Sequence, residues 1–417
     1  MGLKIKKLNR ADRVAAWRLC MGCGACAYAC PNEAISLIDI AEVGIRPGVD
    51  ETKCQRCSEC IKVCPGIGLE HEVFPDNSIE ELKQAWGPVL SLWEGYATDE
   101  KVRFAGSSGG VATVLALYGL ESGIAGGVLH VGVDGDDPIK NLGVYSKTKE
   151  QLLSCSGSRY SPVSLCEAFG IIKKESCKSI FIGKPCDVAA LTKARKLDAE
   201  LDEKIAFTIS IFCAGTPTSN GTLAVLEEMG VSDISELESF RYRGNGWPGS
   251  TTAVKKNGEI FKMEYAQSWG DILSKHGQLR CRLCPDSTGE FADISCGDPW
   301  YRQIEQSEQG QSLVLVRSQK GNEIIQKALA SGCVSISSAE SHVLGDSQVS
   351  VLKRRQQIWG RLMTMRLMRV PVPCFKGFSL LAGWLGLPMK EKARSVIGTL
   401  KRIIVRKWHR PFDAFRK

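Results

Sequence analysis

Residues 20–31 read CMGCGACAYACP and residues 54–65 read CQRCSECIKVCP. Both follow C-x2-C-x2-C-x3-C-P, so the pattern is an internal repeat offset by 34 positions. Three thiolates at two-residue spacing wrap one corner of a cubane, while the fourth lies on the next turn and reaches the other cluster. The spacing therefore predicts one [4Fe-4S] cluster on Cys20, Cys23, Cys26 and Cys64, and a second on Cys54, Cys57, Cys60 and Cys30. Gly22 and Gly24 relieve backbone crowding, and Pro31 and Pro65 turn the chain off the helical path. Structural zinc uses two separated cysteine pairs rather than a triple, and radical S-adenosylmethionine chemistry needs C-x3-C-x2-C, which Cys26-x3-Cys30 does not continue.

Composition narrows what the clusters serve. The chain has 18 cysteines, five histidines and 417 residues, enough for two or three domains. The basic start has no apolar run or cleavage site, so a cytoplasmic, reducing setting is expected, in which thiols serve metals rather than disulfides. No stretch reads as a transmembrane helix. The formal charge of +8 resides in residues 390–417, leaving a nearly neutral body that argues against nucleic-acid binding.

From about residue 93 the pattern becomes strand, glycine or polar turn, then helix. FAGSSGGVATVLALYGLES reads as a loop opening an apolar helix, and GGVLHVGV as a buried strand. SIFIGKPCDVAALTKAR and KIAFTISIFCAGTPTSNGTLAVLEEM each read as strand, turn and helix, with Thr218 or Ser219 suited to cap the second helix. Such alternation predicts α/β layers with sites where strands end and helices begin. Gly106, Ser107, Ser108, Gly109 and Gly110 read either as a phosphate seat or as a tight packing turn.

SSGGVATVLALYGLESG, CSGSRYSP, FIGKPCDVAALTKAR, FCAGTPTSNGT, FRYRGNGWPG and CRLCPDSTGEFADISCGD occur in that order. Together they resemble the coenzyme F-420 hydrogenase/dehydrogenase beta subunit family, from about residue 93 to about residue 350. The resemblance implies an α+β ferredoxin-like two-[4Fe-4S] domain fused to an α/β flavin-binding domain. In that scheme residues 1–75 form the ferredoxin domain and 76–92 a linker. Residues 93–180 and 181–370 form the two parts of the flavin domain, and 371–417 a basic amphipathic tail.

The resemblance also implies FAD near Ser107, Ser108, Gly109, Gly110, Gly157, Ser158, Arg159 and Tyr160, with Arg159 set to neutralise a phosphate or to form a surface ion pair. It implies an oxidoreductase coupling single electrons from clusters to hydride chemistry at FAD, on F-420 or another small-molecule hydride donor or acceptor. A ferredoxin or other redox protein is the expected partner. The rival is an electron-transfer subunit without its own substrate, serving a partner enzyme or surface-polysaccharide biosynthesis. No catalytic residue is assigned. Asp293 and Asp298, and Arg241, Tyr242, Arg243 and Trp247, read as substrate-facing or as turn-forming.

Cys281 and Cys284 are too few for a cubane alone, while Cys186 and Cys213 fall just after predicted strands. A third [4Fe-4S] cluster on Cys186, Cys213, Cys281 and Cys284 is expected. Two other readings stay open, a different fourth ligand (Cys155 or Cys296) and buried thiols holding no metal. In the tail, Ile397, Leu400, Ile403 and Ile404 share a helical face flanked by basic residues, a pattern that fits the inner surface of an anionic membrane, an acidic partner or a solvated helix.

Overall fold

The structure, a computed structural model, describes residues 8–302 and 309–412. Each cysteine repeat folds as a loop and one helical turn. Gly22 and Gly24 take φ of +74° and +91° before the turn Ala25–Tyr28. At the equivalent places in the second repeat, Arg56 and Ser58 take φ of +55° and +67° before Glu59–Lys62. The left-handed geometry is thus repeated even where glycine is absent. Glycine is required in the first copy by packing as well, since a Cβ at Gly22 would lie 2.9 Å from Ile45 and one at Gly24 2.8 Å from the Glu167 nitrogen.

Between the repeats, β1 (Ile35–Ile40) and β2 (Gly44–Val49) form an antiparallel hairpin. Strand β3 (Gly68–Glu70) leads out of the second repeat. The main sheet begins with β4 (Ser91–Ala97), β5 (Gly127–Val133) and β6 (Asn141–Ser146). It continues with β7 (Ser179–Gly183) and β8 (Ile205–Ile211). A separate antiparallel sheet of β9 (Leu237–Arg241), β10 (Thr251–Lys255) and β11 (Ile260–Met263) intervenes. The main sheet then closes with β12 (Ile294–Gly297), β13 (Ser312–Val316) and β14 (Val334–Ser338). Finally β15 (Cys374–Lys376) pairs in parallel with β3, tying the far end of the chain to the cysteine repeats.

The eight main strands lie in the order β14-β4-β13-β12-β8-β7-β5-β6. The inner run β12, β8, β7 and β5 is parallel, with antiparallel strands outside it. Parallel strands must be covered on both faces, and these are. Ile180, Phe207 and Ile209 pack with helices Val111–Glu121 and Gln319–Ala330, while Phe181 joins Phe169, Val188 and Leu191 on the opposite face. This is the mixed α/β fold expected of the body, with a ferredoxin-type segment attached.

Three sequence readings change. Residues 76–92, read as a linker with one short helix, do hold helix Glu80–Trp86, but Leu82, Trp86 and Val89 are buried in a core with Leu313 and Leu315. The tail is built into the body, because Ile403 and Trp408 pack with Val14, Trp17, Leu19 and Leu283. Ile403 is therefore fully buried, whereas Ile397, Leu400 and Ile404 stay exposed on helix Met389–Val405. Thr218 stands at the N-cap of helix Ser219–Glu228 without a side-chain cap bond, and the Ser219 hydroxyl instead binds Asp39 of β1. Among the described residues no helix is long and apolar enough to cross a membrane.

Candidate functional site

The N-terminal thiols lie in two neighbouring groups. Burial pushes Cys26 well above the usual thiol range, and so do its neighbours Cys20, Cys23 and Cys64, with Cys60 beyond them. Cys64 is pushed up to about 12 by burial and then by Cys23 and Cys20. Cys60 is raised by burial and then by Cys57, Cys30 and Cys54. A cavity of about 220 Å3 lies against Cys30, Cys54, Cys57 and Cys60, where Cys57 is exposed.

A third group forms at the C-terminal ends of the parallel strands. Cys186 sits in the first turn of helix Pro185–Arg195 after β7, and Cys213 lies two residues beyond β8. Cys281 and Cys284 flank the end of the short helix Leu279–Arg282. The Thr216 amide donates to Cys281 Sγ at 3.5 Å, and Cys284 Sγ donates to the Asp286 carbonyl at 2.8 Å. Burial and then Cys281 push Cys213 up to about 11. Cys284 is pushed up to about 12 by burial, with Cys281 and Cys213 among its neighbours. Cys186 is raised by burial, and both Cys213 and Cys23 act on it. It thus stands between the third group and the first.

The donor chemistry of all three groups fits [4Fe-4S] cores. Buried thiols this crowded ionise only when a cationic core compensates for them, and thiolate is the ligand such a core needs. Among the described residues no three Cys, His, Asp or Glu side chains gather to hold a single metal ion. The alternatives for a fourth ligand stand elsewhere. Cys296 lies inside β12 in the apolar core, raised by burial alone, and Cys155 lies beside Gly132 of β5.

Three residues that the motifs did not flag complete this region. Lys184 binds Asp187 at 2.6 Å beside Cys186 and Cys213; burial opposes its charge, but Asp187 and those thiols more than offset the opposition. Cys166 is fully buried against Cys23, its amide donating to the Cys23 carbonyl at 2.7 Å. Arg280, also fully buried, donates to the Pro65 carbonyl at 2.9 Å, so it lies between Cys64 and the Cys281–Cys284 pair. Its hydrogen-bond partners lie more than 200 residues away in the chain.

The glycine-serine loop and the GSRY turn do meet. Ser107 Oγ accepts from the Ser158 amide at 2.6 Å. Ser108 Oγ and the Gly109 amide both bind Ser312 Oγ, at 2.6 and 2.9 Å, and Gly110 caps helix Val111–Glu121 in a left-handed conformation. Arg159 forms no ion pair among the described residues. Its guanidinium donates to Asn141 Oδ1 and to the carbonyls of Phe240 and Pro138, at 2.7, 2.8 and 2.9 Å. Burial lowers its affinity for the proton. The cation available to this loop is Arg241, whose Nη1 donates to the Ala105 carbonyl at 3.1 Å. Arg241 is half-buried, has no carboxylate partner among the described residues and is lowered by burial alone.

Beyond β12, Arg243 and Asp298 form a two-pronged pair at 2.7 and 2.9 Å, and Trp247 Nε1 donates to the same carboxylate at 2.9 Å. Arg243 is 2% exposed, and Tyr242 and Trp247 are also buried, so FRYRGNGWPG is not a solvated turn. Trp300 stacks between Trp247 and Tyr265, with centroids 6.0 and 5.6 Å away. Tyr160 joins this aromatic group through Tyr265 at 6.5 Å. Asp293 serves structure instead, accepting from the Thr208 amide at 2.8 Å and from Ser318 Oγ at 2.5 Å.

Two models of the coenzyme F420 hydrogenase/dehydrogenase beta subunit match the body of the chain, the N-terminal one over residues 92–169 and the C-terminal one over residues 177–342. Residues 19–66 match the 4Fe-4S dicluster domain. Coenzyme F420 hydrogenase subunit beta of Methanosarcina barkeri is 26% identical over 256 residues, spanning 59% of this chain and 81% of that protein. Coenzyme F420-dependent sulfite reductase of Methanocaldococcus jannaschii is 26% identical over 322 residues, spanning 73% of this chain and 45% of that protein. In fold, the chain resembles one in the F420-reducing [NiFe] hydrogenase complex of Methanosarcina barkeri, with TM-score 0.53 and 21% identity over 71% of this chain and 95% of that one. The chain therefore belongs to the coenzyme F420 hydrogenase/dehydrogenase beta subunit family, an oxidoreductase family, and carries an iron–sulfur dicluster domain ahead of the family body.

Proposed function

We propose that this protein is an FAD- and iron–sulfur-dependent oxidoreductase exchanging single electrons through [4Fe-4S] clusters and a hydride with F420 or another small-molecule donor or acceptor. One observation carries the reading. Strands β8 and β12 pair Ile211 with Cys296, so Cys213 and Asp298 each lie two residues beyond a matched position on adjacent parallel strands. A thiol of the inner group and the Arg243–Asp298–aromatic group thus share one end of the sheet, where α/β sites form.

When bound, the clusters supply one-electron transfer and FAD supplies the two-electron exchange. In this reading Cys20, Cys23, Cys26 and Cys64, then Cys54, Cys57, Cys60 and Cys30, then Cys186, Cys213, Cys281 and Cys284 hold three clusters. Arg241 would offset the flavin diphosphate, and the aromatic group of Trp247, Tyr265 and Trp300 would line the apolar side of the site. Ser107, Ser108, Gly109 and Gly110, with Gly157, Ser158 and Tyr160, shape the loops around it, and buried Trp247 excludes water. Exposed Cys57 marks the face where a ferredoxin or other redox protein would deliver electrons.

The test is anaerobic reduction of F420 by the isolated protein with a reduced viologen dye as sole donor. Reduction of F420 supports the reading. Dye-reduced clusters that pass nothing to F420, NAD+ or NADP+ favour instead a subunit serving a partner enzyme, as the subunit naming of the Methanosarcina relative would suggest. Contact with an anionic membrane is a further part of this proposal, through Ile397, Leu400 and Ile404 with flanking Lys401. Ile397→Glu with Ile404→Glu should abolish co-sedimentation with phosphatidylserine vesicles; unchanged sedimentation refutes the contact. Deleting the whole helix is unsuitable, because Ile403 belongs to the core.

A further inference from the structure

Helix Ile358–Leu367 and the stretch from Phe375 to Leu381 leave a groove between them, with a cavity of about 260 Å3. Trp359, Leu362 and Met363 line one side, and Phe375, Leu380 and Leu381 the other. The charged side chain at this apolar groove is Arg366. It is exposed and has no carboxylate partner among the described residues; its hydrogen-bond contact there is Met363 Sδ, at 3.8 Å.

The groove is joined to the helix proposed above to meet a membrane. Trp359 and Trp384 have ring centroids 4.7 Å apart, and Trp384 Nε1 donates to Ser395 Oγ of helix Met389–Val405 at 3.0 Å. Aliphatic surface and positive charge are concentrated together in this part of the chain. Ten of the 22 exposed large hydrophobic residues fall between Leu367 and Val405, among them Leu381 and Leu385 on helix Leu380–Leu385. Residues 358–410 hold twelve Lys or Arg against one acid, Glu391. Glu391 is already held by Lys353 at 2.9 Å and Gln357 at 2.8 Å.

Such a surface calls for a partner that is both aliphatic and anionic. One turn of helix, roughly 400 Å3 at 5.4 Å pitch and about 10 Å diameter, is too large for the cavity, so a helical peptide does not enter it. A single acyl chain is thin enough, and its headgroup then lies within reach of a guanidinium whose fork matches anionic oxygens. We propose that the groove binds one acyl chain of an anionic phospholipid, with Arg366 paired to the headgroup. The proposal deepens the membrane contact of helix Met389–Val405 and rests on it for the supply of lipid.

The test uses dihexanoyl phosphatidylserine as a soluble monomer, without a bilayer, on the full-length, anaerobically prepared protein, with dihexanoyl phosphatidylcholine as the control lacking net charge. Tryptophan fluorescence reads the binding through Trp359. A saturable change is expected with phosphatidylserine, about tenfold weaker in Arg366→Gln and lost in Leu381→Glu. Both positions are exposed, so neither variant disturbs the core. Ile397→Glu with Ile404→Glu should lose vesicle sedimentation yet keep monomer binding. Monomer binding without wild-type sedimentation upholds the groove and refutes the helix contact. Sedimentation without monomer binding overturns the groove and leaves the contact standing. Equal affinity for the two lipids, or unchanged affinity in Arg366→Gln and Leu381→Glu, also overturns it. Wild type that binds neither lipid overturns it too and leaves the face to a protein partner.

Discussion

Replacing Asp298 by Asn probes the geometry at the end of β12. The carboxylate receives two donors from Arg243 and one from Trp247, and the Arg243 side chain is 2% exposed. Burial opposes the Arg243 charge, but Asp298 more than compensates and holds the proton more firmly than usual. Removing one partner of a buried pair costs about 3–5 kcal/mol, mostly as the uncompensated charge left behind. Asn keeps one acceptor oxygen, and the Asp298 side chain is 15% exposed, so the lower end, about 3 kcal/mol, applies. The assay is urea unfolding of anaerobic wild type and variant, followed by tryptophan fluorescence, with flavin retention measured on the same samples. A midpoint shift equivalent to about 3 kcal/mol with lowered flavin content is expected. A shift below about 0.5 kcal/mol with full flavin content would refute the assignment of Arg243–Asp298 as the brace of this site.

Three further outcomes are expected. Cys30→Ser should change the same reduced-cluster EPR signal as Cys54→Ser and leave the signal lost in Cys26→Ser intact; a Cys30→Ser spectrum matching Cys26→Ser would refute the crossed ligation. Glu290 is wholly buried between His71 at 2.8 Å and Arg355; burial opposes its ionisation, but Arg355 and His71 hold it below the usual carboxylate range. Glu290→Gln should therefore destabilise by about 3–5 kcal/mol in the same urea assay, and a loss under about 1 kcal/mol would refute that buried pair. Burial pushes His130 from 6.5 down to about 4, with its Nε2 2.8 Å from Ser146 Oγ. A folded pKa below the unfolded one means stability is full above about pH 6.5 and declines by about 3 kcal/mol as pH falls through 4. His130→Gln should flatten this decline, and an unchanged pH profile would refute the assignment.

Legibility in the sequence followed the range of the interactions. The cysteine repeat spoke plainly because cluster geometry is local, so a spacing of two residues carries it, and even the left-handed turns recur at Arg56 and Ser58. The main strands were legible where a fully buried parallel strand leaves a continuous apolar run, as in GVLHVGV and IAFTISI. The acceptors of Arg159 at Asn141 and Phe240 were not legible because they come from other loops, and composition alone does not distinguish a structural guanidinium from a phosphate ligand. Arg241, in a later motif of the same set, also has no carboxylate partner among the described residues and lies beside the glycine-serine loop. Ile403 was assigned to the outward face because helical periodicity gives the stripe but not which side of it meets Trp17.

The central claim is that an inner thiolate-held cluster feeds a flavin in one chain. Its most direct measurement is the iron, acid-labile sulfide and released flavin of a single anaerobic preparation of the intact protein. About twelve iron atoms and about one FAD per chain are expected for three clusters beside a flavin. About eight iron atoms per chain would contradict the inner cluster, and a full iron complement without releasable flavin would contradict the coupling.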